Sequence, residues 1–172
     1  GTIFSPGVNI TILLLSMLLI GALIGSFVAS RVVMTEMPQL VAALHSFVGL
    51  AAVFIGINSH LSPPTELIGA DKIIHEIEIF LGVFIGSITF TGSVVAYGKL
   101  SGRINGKPLL LPARNILNLL MIFISITLGI AYLNHSGEWT LYLMTFIAFV
   151  FGAHLVLAIG GADMPVVVSM LN

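Results

Sequence analysis

The residue of this chain best suited to chemistry is a histidine, His45, inside an apolar stretch (residues 37–58) that is long enough to cross a bilayer. A titratable side chain in hydrocarbon costs several kcal/mol, so it needs a partner, a water-filled cavity or a function. Imidazole is also the side chain whose unperturbed pKa lies near physiological pH, which suits it to carrying a proton across a membrane. A proton pathway, ligation of haem or a metal, and a structural hydrogen bond between helices are therefore the roles open to His45.

Several other polar side chains fall at about the same depth as His45. A helix rises 1.5 Å per residue, so His45 lies about 12 Å from the end of its stretch and Asn172 about 10 Å into the last one. Thr89, Ser93 and His154 lie within nine residues of the matching ends of their own stretches. Side chains from four helices can therefore meet at one level of a bundle.

Two histidines on different helices at similar depth could also ligate a b-type haem through its axial positions. His45 and His154 would be that pair, and the purified protein would then show a Soret band. Spacing alone leaves proton transfer, haem ligation and a structural role open for His45, whereas a structural or capping role is favoured for His154. Three further histidines are expected to be solvated in external loops, namely His60, His75 and His135.

The elements that must position these residues are membrane-spanning helices. The chain is 58% hydrophobic and only 8% charged, whereas a soluble domain is about 25% charged. About 20 apolar residues of helix cross the hydrocarbon core, and no stretch has the alternation of a barrel strand. We predict an all-α integral membrane protein, a polytopic bundle with five complete spans plus the start of a sixth and no soluble domain. The spans are residues 8–29, 37–58, 77–98, 116–133, 139–159 and 165–172 onward.

Composition and chain ends narrow the class further. The net charge of -1 gives no basic field for nucleic acid, and the absence of cysteine excludes disulfides and thiolate metal sites in this chain. The sequence starts with Gly1 and stops at Asn172 within an apolar stretch, so we expect a fragment of a longer polypeptide.

One predicted helix face carries only small and hydroxyl residues. Gly82, Gly86, Thr89 and Ser93 recur at the spacing of a single α-helical face. Such a face either packs closely against another helix or leaves room for water. Close packing is the expected state of its two glycines.

Lysine and arginine predict the orientation, because cytoplasmic loops of membrane proteins are enriched in them. Five of the six lie in loops that share one face of a five-span bundle, namely Arg31 and the four in residues 99–115. Lys72 alone lies on the other face, among several acidic residues. We therefore predict that the basic loop 99–115 is cytoplasmic.

Several strings of the sequence resemble the membrane domain of the beta subunit of proton-translocating nicotinamide nucleotide transhydrogenases. The resemblance runs from about Arg31 to the end, and its last string is the most specific. The strings are MTEMPQLVA at 34–42, LHSFVGL at 44–50, TFTGSVVAYGKL at 89–100, KPLLLP at 107–112 and IGGADMPVVVSMLN at 159–172.

The resemblance implies that this chain is the proton-conducting part of an enzyme that couples hydride transfer from NADH to NADP+ to inward proton movement. The intramembrane histidine of the family maps onto His45, its hydroxyl partner onto Ser93 and its amide partner onto Asn172. Thr89, on the face of Ser93, is expected to join this pathway.

A second group of residues is expected to couple the membrane part to the NADP-binding domain. The family's aspartate near that domain maps onto Asp163. Glu36, Lys99 and Arg103 are expected to contribute to the same contact surface. The resemblance implies that residues 1–172 hold no hydride-transfer residue, no cofactor site and no metal site.

The resemblance also implies partners and location. NAD(H) would bind an alpha subunit, and NADP(H) a C-terminal domain of the beta subunit that is absent from this chain. The implied partners are that alpha subunit, that C-terminal domain, the lipid bilayer and a second protomer in a dimer, with no nucleic acid. The location would be the bacterial inner membrane, as a multi-pass protein. The alternatives are the haem-bearing anchor of a quinone-linked oxidoreductase and a purely structural membrane subunit.

Overall fold

The computed structural model describes residues 12–63, 68–164 and 166, and within these ranges all the regular structure is helical. Five of the helices are long and apolar enough to cross a membrane, which confirms the all-α membrane fold and its five complete spans. The predicted sixth span, apart from Val166, lies outside the described residues. The helices are α1 (Ile12–Arg31), α2 (Met37–Leu61), α3 (Ala70–Leu100), α4 (Arg114–Leu133) and α5 (Trp139–Leu157), with short 3₁₀ turns at Met34–Glu36 and Gly161–Asp163.

The chain divides at Met37 into two compact units. The described part of the first unit contains α1 and the 3₁₀ turn that follows it. Helix α1 is apolar on all sides, and none of its side chains is buried. A helix that is hydrophobic all round is typical of a membrane span.

In the second unit, α3 lies between α2 and α5, and glycines make both contacts possible. A Cβ atom added to Gly86 of α3 would lie 2.8 Å from the carbonyl oxygen of Gly49 in α2. On the other side of α3, a Cβ atom on Gly152 of α5 would lie 2.7 Å from the Cα atom of Ile88. Small residues at such crossings let two backbones approach to a distance that larger side chains prevent.

Two apolar clusters fill the space between these helices. The larger joins α2, α3, α4 and α5, with Val83, Leu141 and Met144 fully buried at its centre. The smaller lies where α3 and α5 end, which we call the basic end because the loop 99–115 is there; it consists of Ala42, Ala96, Val156 and Met164. Lipid tails are as apolar as these clusters, so close packing rather than transfer from water stabilises the bundle.

Helix α3 begins seven residues before the predicted span at 77–98. The added turns contain Asp71, Lys72 and Glu76. A prediction from hydropathy excludes such charged turns from a membrane span. The 31 residues of the helix extend about 46 Å, whereas the hydrocarbon core is about 30 Å thick. The charged turns therefore continue the helix beyond the apolar layer, at the end of the bundle opposite the basic end.

Candidate functional site

The register of α2 against α3 brings His45 level with Ser93. A Cβ atom on Gly49 would lie 2.6 Å from the backbone nitrogen of Phe90 and 2.8 Å from the carbonyl oxygen of Gly86. Helices α2 and α3 run antiparallel. A residue one turn before Gly49 on α2 is therefore level with residues about one turn after Gly86 and Phe90 on α3. His45 is four residues before Gly49 on α2, and Ser93 is seven residues after Gly86 on α3.

Those spacings also place both residues on the faces that meet. Positions four and seven apart lie on one side of an α-helix, so His45 shares the face of Gly49, and Ser93 shares the face of Gly86. Ser93 is only 2% exposed, and His45 is half-buried. An imidazole and a hydroxyl group, both able to donate and to accept hydrogen bonds, therefore lie at one level of the α2–α3 interface.

The small-residue face of α3 has two different environments. Gly86 is in close contact with α2, as predicted, but a Cβ atom on Gly82 would find nothing within 4 Å. Close packing is thus confirmed for Gly86 and wrong for Gly82. Thr89, between Gly86 and Ser93, is half-buried. The register therefore brings Ser93 to the level of His45 and Thr89 to the level of Gly49, one helical turn away. Asn172 lies outside the described residues.

His154 forms a hydrogen bond between helices, as its structural interpretation predicts. It is 9% exposed, and its Nδ1 lies 2.8 Å from Oδ1 of Asn118 in α4. An amide oxygen only accepts, so Nδ1–H of His154 is the donor. His154 therefore ties α5 to α4.

The haem interpretation needs a space of porphyrin width between His45 on α2 and His154 on α5. Helix α3 fills that space, in close contact with α2 at Gly86 and with α5 at Gly152. This arrangement disfavours a haem held by the two histidines.

Lys99 is buried rather than displayed on the surface, with 5% exposure. Its Nζ donates to the carbonyl oxygens of Leu157 at 2.7 Å, Ile159 at 2.6 Å and Val156 at 3.4 Å. An ammonium group has three donors, and a cation at the C-terminus of a helix is stabilised by the helix dipole. Lys99, in the last turn of α3, therefore caps the end of α5.

The other residues expected to couple the membrane part to a nucleotide-binding domain are exposed. Arg103 lies in the loop that follows α3, with its guanidinium 5.6 Å from the centre of the Tyr97 ring. Asp163 is exposed in the 3₁₀ turn after α5. Glu36 is exposed in the first unit. Their role in contact with another domain stays a prediction.

A cavity of about 440 Å³ lies at the end of the bundle opposite the basic end. The prediction that His60 and His75 are solvated loop residues is wrong, because they lie in α2 and α3 and are half-buried. Nδ1 of His60 is 2.9 Å from the hydroxyl group of Tyr132. The titratable groups that line the cavity are His60, Lys72, His75, Glu76, Tyr132, His135 and Glu138.

This cavity was not expected from hydropathy, although the charged pattern of residues 71–78 was visible in the sequence. Oε1 of Glu76 lies 3.9 Å from Nζ of Lys72 and 3.9 Å from Nδ1 of His135, so its carboxylate lies between an ammonium group and an imidazole ring. Within the described ranges, no group of three or more His, Asp or Glu side chains has the arrangement of a metal site. The cavity offers groups that exchange protons with water, about 15 residues of helix from His45.

Comparison with known proteins gives one family. The family model described as "NAD(P) transhydrogenase beta subunit" matches residues 2–172. The NAD(P) transhydrogenase subunit beta of Rhodospirillum rubrum is 41% identical over 174 residues, and the same figures hold for the subunit of its strain ATCC 11170. The matched region covers 99% of this chain and 38% of each relative. The chain thus spans well under half the length of the relatives it matches.

Proposed function

Because the chain belongs to the NAD(P) transhydrogenase beta-subunit family, we propose that it forms the proton-translocating membrane part of a transhydrogenase. The observation that carries the proposal is the register that sets His45 level with Ser93 inside the α2–α3 interface. In the whole enzyme, hydride transfer from NADH to NADP+ is coupled to inward proton movement. This chain contributes the membrane part of that coupling and not the hydride chemistry.

In this proposal, His45 takes up a proton from water on one side of the membrane and releases it to the other side. The Ser93 hydroxyl lies at the same level and orients the imidazole or a bridging water by donating or accepting one hydrogen bond. Thr89 and Asn172 extend the polar pathway. Net transport requires that His45 exchanges protons with one side at a time, so the bundle must alternate between two states.

Coupling to the redox reaction is conformational, because both nucleotides bind outside the membrane. NADP(H) binds a C-terminal domain of the same subunit, and NAD(H) binds the alpha subunit. Asp163 and Arg103 of the second unit contact the NADP domain in this proposal, and Glu36 of the first unit is assigned a contact of its own with that domain. A protonmotive force of about 150 mV supplies roughly 3.5 kcal/mol per proton. This free energy can change the equilibrium constant between two states by more than about 100-fold.

The remaining assignments follow from the charge distribution and the family. The basic end faces the cytoplasm of a bacterium, because the lysines and arginines of the loop 99–115 favour that side. The cavity lined by His60 and Glu76 then opens to the external side of the inner membrane. The enzyme is a dimer of protomers, each with an alpha subunit.

The proposal is tested by proton movement in proteoliposomes that contain the whole enzyme. Hydride transfer should acidify or alkalinise the vesicle interior in step with NADH oxidation, and an ionophore should abolish the pH difference without stopping the reaction. Hydride transfer at full rate without any ionophore-sensitive pH change would contradict the proposal.

Replacing Ser93 by alanine should lower the rate of proton translocation by about three- to tenfold and shift its pH profile. The reason is that one hydrogen bond contributes about 0.5–1.5 kcal/mol, and water can replace part of it. Ser46→Ala is the matched control, because the buried Ser46 hydroxyl donates to the carbonyl oxygen of Ala43 in its own helix. A Ser93→Ala enzyme with the pH profile of the Ser46→Ala enzyme would show that Ser93 only fills space.

A further inference from the structure

The position of the Lys99 ammonium differs from that expected of a lysine in a cytoplasmic loop. A lysine that serves only as a positive topology signal stays in water, because burial of an ammonium without partners costs free energy. Lys99 is 5% exposed, and its three carbonyl acceptors come from the last residues of α5 and the turn that follows. Its charge is therefore directed into the protein and holds two elements together.

The elements joined are α3 and the residues between α5 and the predicted sixth span, which we call the junction segment (residues 158–164). The basic-end loop holds the same region by backbone hydrogen bonds. The amide of Gly161 donates to the carbonyl of Gly106 at 2.8 Å, and the amide of Leu109 to that of Leu157 at 2.9 Å. At the other end of the segment, Met164 is fully buried in the cluster with Ala42, Ala96 and Val156.

Lys99 links this segment to the candidate proton site through a single helix. Ser93 precedes Lys99 by six residues on α3, which is about 9 Å along the helix axis. A regular helix moves as one body over this length, so a displacement of α3 at Ser93 is passed to the ammonium. Asp163 lies exposed at the far side of the junction segment, four residues beyond the last acceptor, Ile159.

We propose that Lys99 is a positioning residue that clamps the junction segment to α3, so that movement at the His45–Ser93 level is transmitted to Asp163. The inference rests on the proposed function. Lys99 does not contact the NADP domain directly in this proposal but acts on it through the end of α5. Breaking the clamp leaves the proton site and the hydride chemistry in place but separates their movements.

The test uses the whole enzyme with Lys99→Met, which keeps an unbranched side chain of similar length without its charge. Lys107→Met is the matched control, because Lys107 is exposed in the same loop. In Lys99→Met, hydrogen exchange of residues 158–163 should be at least about tenfold faster, since hydrogen bonds of a charged group are lost. The ratio of protons moved to hydrides transferred should fall towards zero. Lys107→Met should match the unmodified enzyme in both measurements.

Unchanged exchange in Lys99→Met would overturn the clamp, and faster exchange with a normal proton-to-hydride ratio would overturn the transmission. Lys99→Arg retains a cation with several donors, so it should recover part of the ratio that Lys99→Met loses; no recovery would also count against the inference. Failure of the proposed function is distinguishable, because the unmodified enzyme itself would then move no protons.

The unmodified protein provides a measurement that does not depend on assembly of the variants. A small amine-reactive reagent under native conditions should modify Lys107 and spare Lys99, and mild denaturation should remove the difference. Modification of Lys99 at the rate of Lys107 in the native protein would overturn the inference.

Discussion

Replacing His45 by alanine is expected to abolish proton movement coupled to hydride transfer, while the helix bundle remains assembled. Alanine has no group that can carry a proton, and the Ser93 hydroxyl does not titrate in the physiological range. Loss of a positioned acid or base typically lowers a rate by 10²- to 10⁴-fold, so translocation should fall by at least about 100-fold. His45 is half-buried, so its truncation on an apolar helix should leave the fold largely intact.

The measurement is the initial rate of ionophore-sensitive pH change in proteoliposomes, normalised to the amount of folded enzyme. His154→Gln is the matched control, since His154 lies near the same level on α5 and its hydrogen bond to Asn118 is structural. Glutamine keeps an amide that can donate to Oδ1 of Asn118, so this variant should translocate protons at close to the normal rate. Full translocation by His45→Ala would refute the role of His45, and loss in both variants would show a general disturbance of the bundle.

The common level of His45 and Ser93, the candidate proton site, was predictable from the sequence because the rise of a helix is fixed. Counting from the ends of apolar stretches put His45 and Ser93 at one depth, and the helical register in the structure does the same. The face of each residue followed from helical periodicity. Depth and face together were therefore sufficient for this pair, without knowledge of the packing.

The sequence did not predict the contacts that depend on which helix lies opposite a given helix face. Gly82 and Gly86 belong to one small-residue stripe, yet α2 is in contact with only Gly86. Lys99 and Arg103 are both basic residues at the end of α3, but only Lys99 meets the carbonyl groups at the end of α5. Such differences arise from crossing positions between helices, which no local pattern of residues records.

The cavity at the opposite end was missed for a related reason. Hydropathy indicates where a helix crosses hydrocarbon, but it does not detect helical turns that continue into water. The first turns of α3 carry His75 and Glu76, and α2 continues beyond its predicted end to include His60. Helix length beyond the bilayer, rather than any single residue, brings these groups around one cavity.

Gly86→Ala is expected to destabilise the bundle, whereas Gly82→Ala one turn away on α3 is expected to have little effect. A Cβ atom on Gly86 would lie 2.8 Å from the Gly49 carbonyl oxygen, 2.9 Å from the Ala52 Cβ atom and 3.1 Å from the Val53 nitrogen. None of these atoms can rotate away, because each belongs to the backbone or is a Cβ atom. The helices must therefore separate, and overpacking of this kind costs about 1–3 kcal/mol.

The separation also has a functional consequence, because Gly86 is two helical turns from Ser93 on the face that meets α2. Gly86→Ala should therefore lower both the midpoint of thermal unfolding, followed by circular dichroism in detergent, and the rate of proton translocation. Gly82→Ala gains helix propensity of about 1 kcal/mol without a clash, so its midpoint should equal or exceed that of the unmodified protein. Equal midpoints for the two variants would show that the α2–α3 crossing is not the close contact that fixes His45 opposite Ser93.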